Sequence, residues 1–370
     1  MKNIGIIGCG SIFDVYVNAS KMFSTLNYVS CADIIYNRAK EKAHQHNLKL
    51  QTIEDIFQDE SIDIILNLTN PVNHLEVSYK ALENGKHVYS EKPIGVNVKE
   101  SKELLSYANK KNLHIGCAPD TFLGGGHQLT RQLVDNNFIG TPLACTAFCQ
   151  SPGPKWNHPN PDSYYIQSGG PLYDMGPYYL TCLVNLLGPM KKVYSIASKF
   201  STERAVTYGP RFGEKINVDT FTHISGIAEF VSGPILNINM SFEVWNHKHN
   251  HLELYGTEGS LLLGDPNVFW CKPELFKPTK EEQLIRKTDR EDFEILEHKF
   301  SYAEKKVNYR GLGLVDMIYN MEQNLPHRAN ASLAIHVLDA IESLTKSAYE
   351  NQPIELTTTT NRPSIRNNEY

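Results

Sequence analysis

The chain has 370 residues, more than the roughly 250 to 300 at which a single hydrophobic core usually stops growing, so we expect two domains. With 41% hydrophobic and 21% charged residues it has the composition of a globular protein, and a net charge of −5 gives no reason to expect nucleic acid or an anionic membrane as a partner. The first apolar run is too short for a secretory signal, and the seven cysteines form no C-x-x-C pair, which predicts a cytoplasmic protein with reduced thiols.

Residues 1–122 alternate β-rich runs with amphipathic stretches, which is the βαβ pattern of a doubly wound parallel sheet. The predicted strands are 2–8, 28–33, 62–69, 86–93 and 112–119. The predicted helices are 11–26, 37–47, 73–85 and 97–112. We therefore expect an α/β fold whose first domain ends near residue 122.

Residues 123–356 have a different pattern, in which a connecting helix over 124–140 precedes strands separated by turn signals. The predicted strands are 142–150, 191–200, 222–231, 234–245, 251–257 and 259–265, and the predicted closing helices are 312–324 and 331–352. This indicates a second α/β domain with an open, mainly antiparallel sheet. Its apolar alternation predicts a homodimer or homotetramer through that sheet, and the polar tail 357–370 is expected to be loosely held.

Two glycines follow the first predicted strand directly. Gly8 and Gly10 precede Ser11 and Ile12, which open the next helix. Glycines in this context allow a tight turn and close approach of a pyrophosphate to the backbone. Phe13 occupies the position of the third glycine of the usual fingerprint, so this motif alone is weak.

Asp33 ends the second predicted strand. An acidic residue there hydrogen-bonds a ribose hydroxyl and repels a 2′-phosphate, which predicts NAD as the cofactor and leaves NADP open. The alternative is that Asp33 is a helix cap or a solvated loop acid.

The next two strands also end in polar residues. Thr69, Asn70 and His74 lie at or just after the end of one strand, and Glu91 and Lys92 lie at the end of the other. The carboxyl ends of parallel strands form the crevice in which such sheets bind ligands, so all five are candidate cofactor residues. Lysine beside a cofactor also stabilises a substrate alkoxide, although a surface charge is the ordinary alternative.

Together these motifs, with "TNPVNH" and "EKPIGVN" in this order, resemble the Gfo/Idh/MocA family of NAD(P)-dependent oxidoreductases. "GGPLYDMGPYY" is similar to the family's G-G-x-L-x-D-x-G-x-H segment, and "LELYGTEGSLLL" is similar to its second-domain hairpin. The resemblance covers about residues 3–356 and implies an N-terminal Rossmann domain followed by a C-terminal α/β domain.

The resemblance implies that Lys92 is catalytic, that Asp174 orients the reacting groups, and that Tyr178 stands where most relatives have an acid/base histidine. In this respect the chain is similar to the glucose-fructose oxidoreductase and dihydrodiol dehydrogenase branches of the family, which carry tyrosine at this position. A phenol with a pKa near ~10 is a poor base, but a neighbouring ammonium such as that of Lys92 lowers this pKa. The alternative is that Tyr178 is a packed aromatic and Asp174 a helix cap.

Four residues are weaker substrate-binding candidates. Asp120 lies in "CAPDTFLGGGHQ", where many relatives have an Asn and an Arg-Phe pair instead. Trp156, His158 and Tyr164 occupy a Pro/Asn/Gly-rich loop. Aromatic and polar groups of this kind suit a carbohydrate, but a rigid surface loop or one covering a neighbouring subunit uses the same residues.

His247, His249 and His251 would share one face of a strand by alternation. A solvated or interface-lining strand end is favoured over a metal site, so we expect no metal.

The sequence thus predicts an NAD-dependent dehydrogenase or reductase acting on a sugar, cyclitol or related polyol. One alternative is a glycoside-cleaving or epimerising enzyme that oxidises its substrate transiently with tightly bound NAD. Another is a non-catalytic protein that senses NAD(H).

Overall fold

The computed structural model describes residues 1–154, 161–278, 294–295 and 308–366. It divides into two compact units that interleave along the chain. The first comprises the described parts of Met1–Leu123, Val307–Leu338 and Arg366–Tyr370, and the second those of Gly124–Lys306 and Asp339–Ile365. The domain limits suggested by the sequence remain a prediction.

The first unit contains a six-stranded sheet in the order β3-β2-β1-β4-β5-β6, in which every pair is parallel. Its strands are β1 Asn3–Ile7, β2 Asn27–Ala32, β3 Lys49–Leu50, β4 Ile64–Asn67, β5 His87–Ser90 and β6 Ile115–Cys117. The predicted doubly wound sheet is confirmed, and β3 is too short to leave a periodic signal in the sequence.

The helices of this unit begin and end at recognisable signals. They are Phe13–Ala19, Tyr36–His46, Ile53–Gln58, His74–Glu83, Val98–Lys110 and Leu312–Glu322. Thr52 and Asp55 form a capping box, and the Asn97 side chain accepts the Glu100 N–H at 3.0 Å. The first helix is shorter than predicted because turn hydrogen bonds follow Ala19, such as that from the Ser20 N–H to the Val17 carbonyl.

The second unit contains a nine-stranded sheet in the order β16-β15-β14-β13-β7-β12-β11-β8-β17. Only β7 and β12 are paired in parallel among these strands, so the predicted mainly antiparallel sheet is confirmed. The strands are β7 Pro142–Gln150, β8 Met190–Ser198, β11 His223–Phe230, β12 Ile235–Ser241, β13 Leu252–Gly256, β14 Ser260–Leu263, β15 Glu274–Phe276, β16 Glu294–Ile295 and β17 Ile354–Glu355, with a separate hairpin of β9 Glu203–Ala205 and β10 Lys215–Asn217.

Helices cover one face of this sheet, and among the described residues the other face is open. The helix Gly170–Leu187 packs against β7, β11 and β12, and the Ser195 hydroxyl donates to the Leu344 carbonyl of the helix Ala331–Glu350. Gly125–Asp135 is the remaining long helix described in this unit. Side chains on the open face, such as Ile227, are exposed.

The tail is held more firmly than the sequence predicts. Asp339 Oδ2 accepts the backbone N–H and hydroxyl groups of Thr357 and Thr358 at 2.7–3.1 Å. Arg362 forms an ion pair with Asp135 at 2.7 Å. The expectation of a loosely held tail is therefore wrong for residues 357–366, because its polar groups bond to the unit itself.

No helix among residues 1–154, 161–278 and 308–366 combines the length and apolar character needed to cross a membrane.

Candidate functional site

The turn after β1 fits only glycine at its first position. Gly8 has a φ of +102°, and a Cβ there would lie 2.6 Å from the Leu68 carbonyl carbon and oxygen. Gly10 has no neighbouring atom within 4 Å of an added Cβ. The first glycine thus lets the turn pack against the end of β4, and the second leaves space beside the backbone for a ligand.

Asp33 fixes the same turn from the end of β2. Its Oδ2 accepts the Cys9 N–H at 2.7 Å, and its Oδ1 accepts the Ile35 N–H at 2.8 Å. Arg38 Nη1 lies 3.8 Å from Oδ2. The following helix is preceded by Ile35 with no side-chain cap, so the helix-cap alternative for Asp33 is wrong.

A cleft of about 280 Å³ lies where β1, β2 and β4 end. Its lining includes the predicted cofactor residues Gly8, Gly10, Asp33, Thr69 and Asn70. Ile34, Ile53 and Phe57 provide apolar walls, and Arg38, Glu76 and Lys80 provide charges. An apolar slot beside a carboxylate suits the adenosine half of a dinucleotide, and a ribose contact with Asp33 remains a prediction.

Ser11 and Ile12 follow the turn but do not line this cleft. Ser11 is exposed, and Ile12 is half-buried immediately before the first helix. Their cofactor contacts remain a prediction.

His74 is fully enclosed and its ring is engaged by the protein. Nδ1 lies 2.6 Å from the Pro93 carbonyl oxygen and Nε2 lies 2.9 Å from the Thr69 carbonyl oxygen. Burial lowers the pKa of this imidazole despite both carbonyls. His74 thus ties the loop after β4 to the loop after β5, while direct contact with a cofactor remains a prediction.

The carboxylate of Glu91 also accepts hydrogen bonds from other groups of the protein. Its Oε1 accepts the Tyr16 hydroxyl at 2.7 Å, and its Oε2 accepts the Lys92 backbone N–H at 2.9 Å. Lys92 is half-buried just beyond β5, so Glu91 and His74 hold its segment on both sides.

Asp120 is fully buried in the first unit. Its Oδ2 accepts the N–H groups of Gly311 and Gly313, both at 2.9 Å. Burial raises the pKa of this carboxyl to about 6. These contacts are structural, and the substrate contact suggested by the sequence remains a prediction.

Asp174 and Tyr178 share a helix in the second unit, as the sequence predicts. That helix begins at Gly170 after Gly169, so Asp174 lies beyond its first turn and the helix-cap alternative is wrong. Asp174 is half-buried and Tyr178 is buried, one turn further on the same face. Their roles remain a prediction, and Lys92 belongs to the first unit.

The loop before this helix is described in part. Tyr164 is half-buried and packs against a buried cluster of Tyr165, Val206, Ile216, Val218 and Phe242. Trp156 and His158 lie outside the described residues.

The three histidines near residue 250 do not alternate along a strand, because β13 begins only at Leu252. His249 stacks on Phe148 with ring centroids 4.2 Å apart, and His251 Nδ1 lies 2.7 Å from the Tyr179 hydroxyl. Within the described ranges, no three His, Cys, Asp or Glu side chains are grouped to hold a metal.

Sequence reasoning missed Tyr16, Arg38 and Arg310. Arg38 stands five positions after Asp33, a spacing that signals a group near the ribose. Tyr16 looks like one more apolar helix residue, and Arg310 is more than two hundred positions from Glu91, which it approaches, so neither gives a local signal.

Comparison with known protein families identifies the family to which this chain belongs. Residues 2–118 match the model of an oxidoreductase family with an NAD-binding Rossmann fold, and residues 127–262 match that of the GFO/IDH/MocA C-terminal domain. The chain belongs to the Gfo/Idh/MocA family. This confirms the resemblance, the oxidoreductase class and the NAD-binding Rossmann fold expected from the sequence.

Several curated proteins and solved structures are similar to this chain at low sequence identity. An uncharacterized oxidoreductase of Bacillus subtilis is 24% identical, with 76% of this chain and 84% of the relative aligned. Myo-inositol 2-dehydrogenase of Thermotoga maritima is 21% identical, over 70% of this chain and 74% of the relative. A levoglucosan dehydrogenase in complex with NADH and L-sorbose superposes with a TM-score of 0.78 at 18% identity, over 96% of this chain and 99% of that structure.

Proposed function

We propose that this protein is an NAD-dependent dehydrogenase or reductase for a secondary alcohol or ketone of a sugar, cyclitol or related polyol. The observation that carries the proposal is the position of Lys92, held by buried side chains at the end of β5 in a unit whose neighbouring strand ends form a nucleotide-sized cleft. The substrate class is supported by the myo-inositol 2-dehydrogenase relative, whose alignment covers 70% of this chain.

The residues of the cleft suit NAD. The Gly8 turn brings backbone close to the expected pyrophosphate, and the Asp33 carboxylate offers acceptors to two ribose hydroxyls. A carboxylate repels a 2′-phosphate, which favours NAD, while Arg38 at the same edge leaves some capacity for NADP. Bound NAD supplies the hydride acceptor of the reaction.

Three side chains carry the proposed chemistry. Lys92 donates hydrogen bonds to the substrate oxygen and stabilises its alkoxide. Tyr178 as the phenolate accepts the hydroxyl proton in oxidation, and as the phenol it returns that proton in reduction. Asp174 orients the substrate hydroxyl, and its location one turn from Tyr178 on a long helix keeps the two groups in register.

The test is a panel of sugars and polyols assayed with NAD and NADP by absorbance of the reduced nicotinamide. We expect net turnover with NAD, with NADH formed in proportion to product. Product without NADH would instead indicate transient oxidation by tightly held cofactor. Cofactor binding without turnover on any compound would indicate an NAD(H) sensor.

Substitutions then test the catalytic residues. Lys92→Ala and Tyr178→Phe should each lower kcat by about 100-fold or more while NADH binding persists. Lys110→Ala, at a helix end in the same unit as Lys92, and Tyr173→Phe, on the same helix as Tyr178, are matched controls. Full turnover in both Lys92→Ala and Tyr178→Phe would refute the catalytic assignment.

We also propose that the protein assembles as a homodimer or homotetramer through the open face of its second-unit sheet. Ile196, Ile227 and Ile235 lie on three adjacent strands of that face and are 64%, 50% and 55% exposed. An apolar patch across neighbouring strands favours association with a second copy.

A further inference from the structure

The backbone at Lys92 is fixed by a side chain rather than by the sheet. The Glu91 N–H donates to the Asn67 carbonyl at 2.9 Å, and the strand β5 has already ended at Ser90. The next N–H, that of Lys92, donates to Glu91 Oε2. The position from which the lysine side chain projects therefore depends on how the Glu91 carboxylate is held.

One residue from a distant part of the chain hydrogen-bonds that carboxylate, and another places a positive charge near it. The hydroxyl of Tyr16, on the helix that follows the dinucleotide turn, donates to Glu91 Oε1 at 2.7 Å. Arg310 Nη1 lies 3.9 Å from the same oxygen. Glu91 is only 9% exposed, Arg310 7% and Tyr16 0%, so the carboxylate and guanidinium interact with little screening by water.

Arg310 also faces a second buried acid. Gly311, the next residue, donates its N–H to Asp120, and the positive charge of Arg310 opposes the effect of burial on the Asp120 pKa. The guanidinium thus offsets negative charge at Glu91 and Asp120 together. Removing it would leave the buried Glu91 carboxylate without this nearby positive charge. The side chain would then take up a proton or turn toward water, and either change weakens the acceptor that it offers to the Lys92 N–H.

On the basis of the catalytic role proposed for Lys92, we propose that Arg310 and Tyr16 are positioning residues for hydride transfer. Tyr16 holds Glu91 by a hydrogen bond and Arg310 stabilises its negative charge, so that Oε2 fixes the Lys92 backbone and thereby sets the placement of the catalytic ammonium. Neither residue contacts the cleft that the nucleotide is expected to occupy.

The experiment measures kcat, KM for the productive polyol, NADH dissociation by fluorescence, and the thermal midpoint. Arg310→Met should lower kcat by about 10- to 100-fold, because small misplacements of a catalytic group have effects of that size. NADH affinity should change by less than about threefold, since the cleft is untouched. Arg310→Lys, which keeps the charge, should retain most of the activity, and Tyr16→Phe should lower kcat by a few-fold.

A double-variant cycle separates positioning from general destabilisation. In a Glu91→Gln background, Arg310→Met should lower kcat by less than about threefold further, because the carboxylate it acts on is gone. Arg328, buried against Asp316 in the same unit, is the matched control: Arg328→Lys should lower the thermal midpoint and leave kcat unchanged.

Three results would overturn the inference. The first is a kcat for Glu91→Gln/Arg310→Met that falls by the product of the two single effects. The others are an NADH affinity that falls in step with kcat, and an unchanged kcat in both Arg310 variants. If Arg310→Met does not fold, Tyr16→Phe in the wild-type and Glu91→Gln backgrounds gives the same comparison, because it removes the hydrogen bond to the same carboxylate. Lys92→Ala tells the two proposals apart. If it abolishes turnover while the Arg310 variants are normal, only this inference fails, and if it turns over normally, both fail.

Discussion

The Glu91 side chain accepts a hydrogen bond from the backbone of its own neighbour, Lys92, at 2.9 Å. The other oxygen of the same carboxylate accepts the Tyr16 hydroxyl. Replacing Glu91 by alanine leaves both donors buried without an acceptor, and it leaves Arg310 without this counter-charge. We expect Glu91→Ala to lower the free energy of unfolding of the first unit by about 3 kcal/mol, measured by urea denaturation. Glu100→Ala, on an exposed helix turn, should change it by less than about 1 kcal/mol.

Asp33 should control the choice between NAD and NADP. Asp33→Ser removes the negative charge and leaves Arg38 at the cleft edge, so we expect NAD affinity to fall and the preference to shift toward NADP by about 10- to 100-fold. The check is the ratio of kcat/KM values for the two cofactors. Adding Arg38→Ala should reverse most of the gain for NADP, and an unchanged ratio in Asp33→Ser would contradict the role given to Asp33.

The two glycines of the turn should respond differently to alanine. Gly8→Ala forces a Cβ to within 2.6 Å of the Leu68 carbonyl and imposes a left-handed φ on alanine, so we expect loss of NADH binding and a lower thermal midpoint. Gly10→Ala meets no protein atom within 4 Å, so the fold should be retained. If NADH affinity also falls in Gly10→Ala, the open space beside Gly10 belongs to the nucleotide. Equal thermal midpoints for the two variants would contradict the packing described for Gly8.

His87 should make the protein less stable in acid. Burial, His114 and Lys2 lower its pKa to about 4, while Asp63 opposes the shift. Its Nδ1 accepts the His114 N–H at 3.0 Å, a bond that protonation would break. The unfolded state, with an ordinary pKa near ~6.5, therefore binds the proton more tightly, and stability falls as pH decreases from about 6.5 toward 4.

His87→Asn, which keeps an acceptor, isolates this contribution. The loss of stability between pH 6.5 and 4 should be smaller in the variant by about 2 kcal/mol, allowing for the partial exposure of the ring. Denaturation midpoints at several pH values provide the measurement. Parallel pH curves for the two proteins would show that His87 does not titrate in this way.

The open sheet face should govern assembly. Ile227→Lys places a charge at the centre of the exposed apolar patch. We therefore expect the dissociation constant of the oligomer, measured by analytical ultracentrifugation, to rise at least about tenfold. Val231→Lys, exposed in the turn after β11, is the control outside the patch. A wild-type protein that sediments as a monomer would refute the proposed assembly through this face.

Much of the fold can be predicted from local pattern. The strand β1 is mainly apolar and is followed directly by Gly8, and β7 matches its predicted limits residue for residue. Both could be predicted because buried and half-buried strands have distinct periodicities. The strands β15 and β17 were missed, since segments of two or three residues depend on their partners rather than on their own sequence.

The candidate site was predicted where its residues follow strand ends. Asp33 and Thr69 could be placed in one cleft because parallel strands bring their carboxyl ends to the same edge. The orientation of His74 and Glu91 could not be predicted, because it depends on which buried donors and carbonyls surround each side chain. Arg310 escaped prediction for a stronger reason, since its interaction with Glu91 joins segments that no periodicity connects.

The hydrogen bonds from Gly311 and Gly313 to Asp120 span 191 and 193 positions. During synthesis, the strands of the nucleotide-binding sheet emerge long before the residues that complete their unit. Most of the second unit leaves the ribosome in between, so it has time to form before the first unit is finished. The cofactor-binding half of the enzyme is therefore begun first and completed late, and a nascent chain should acquire affinity for NADH only after residues 308–338 have emerged.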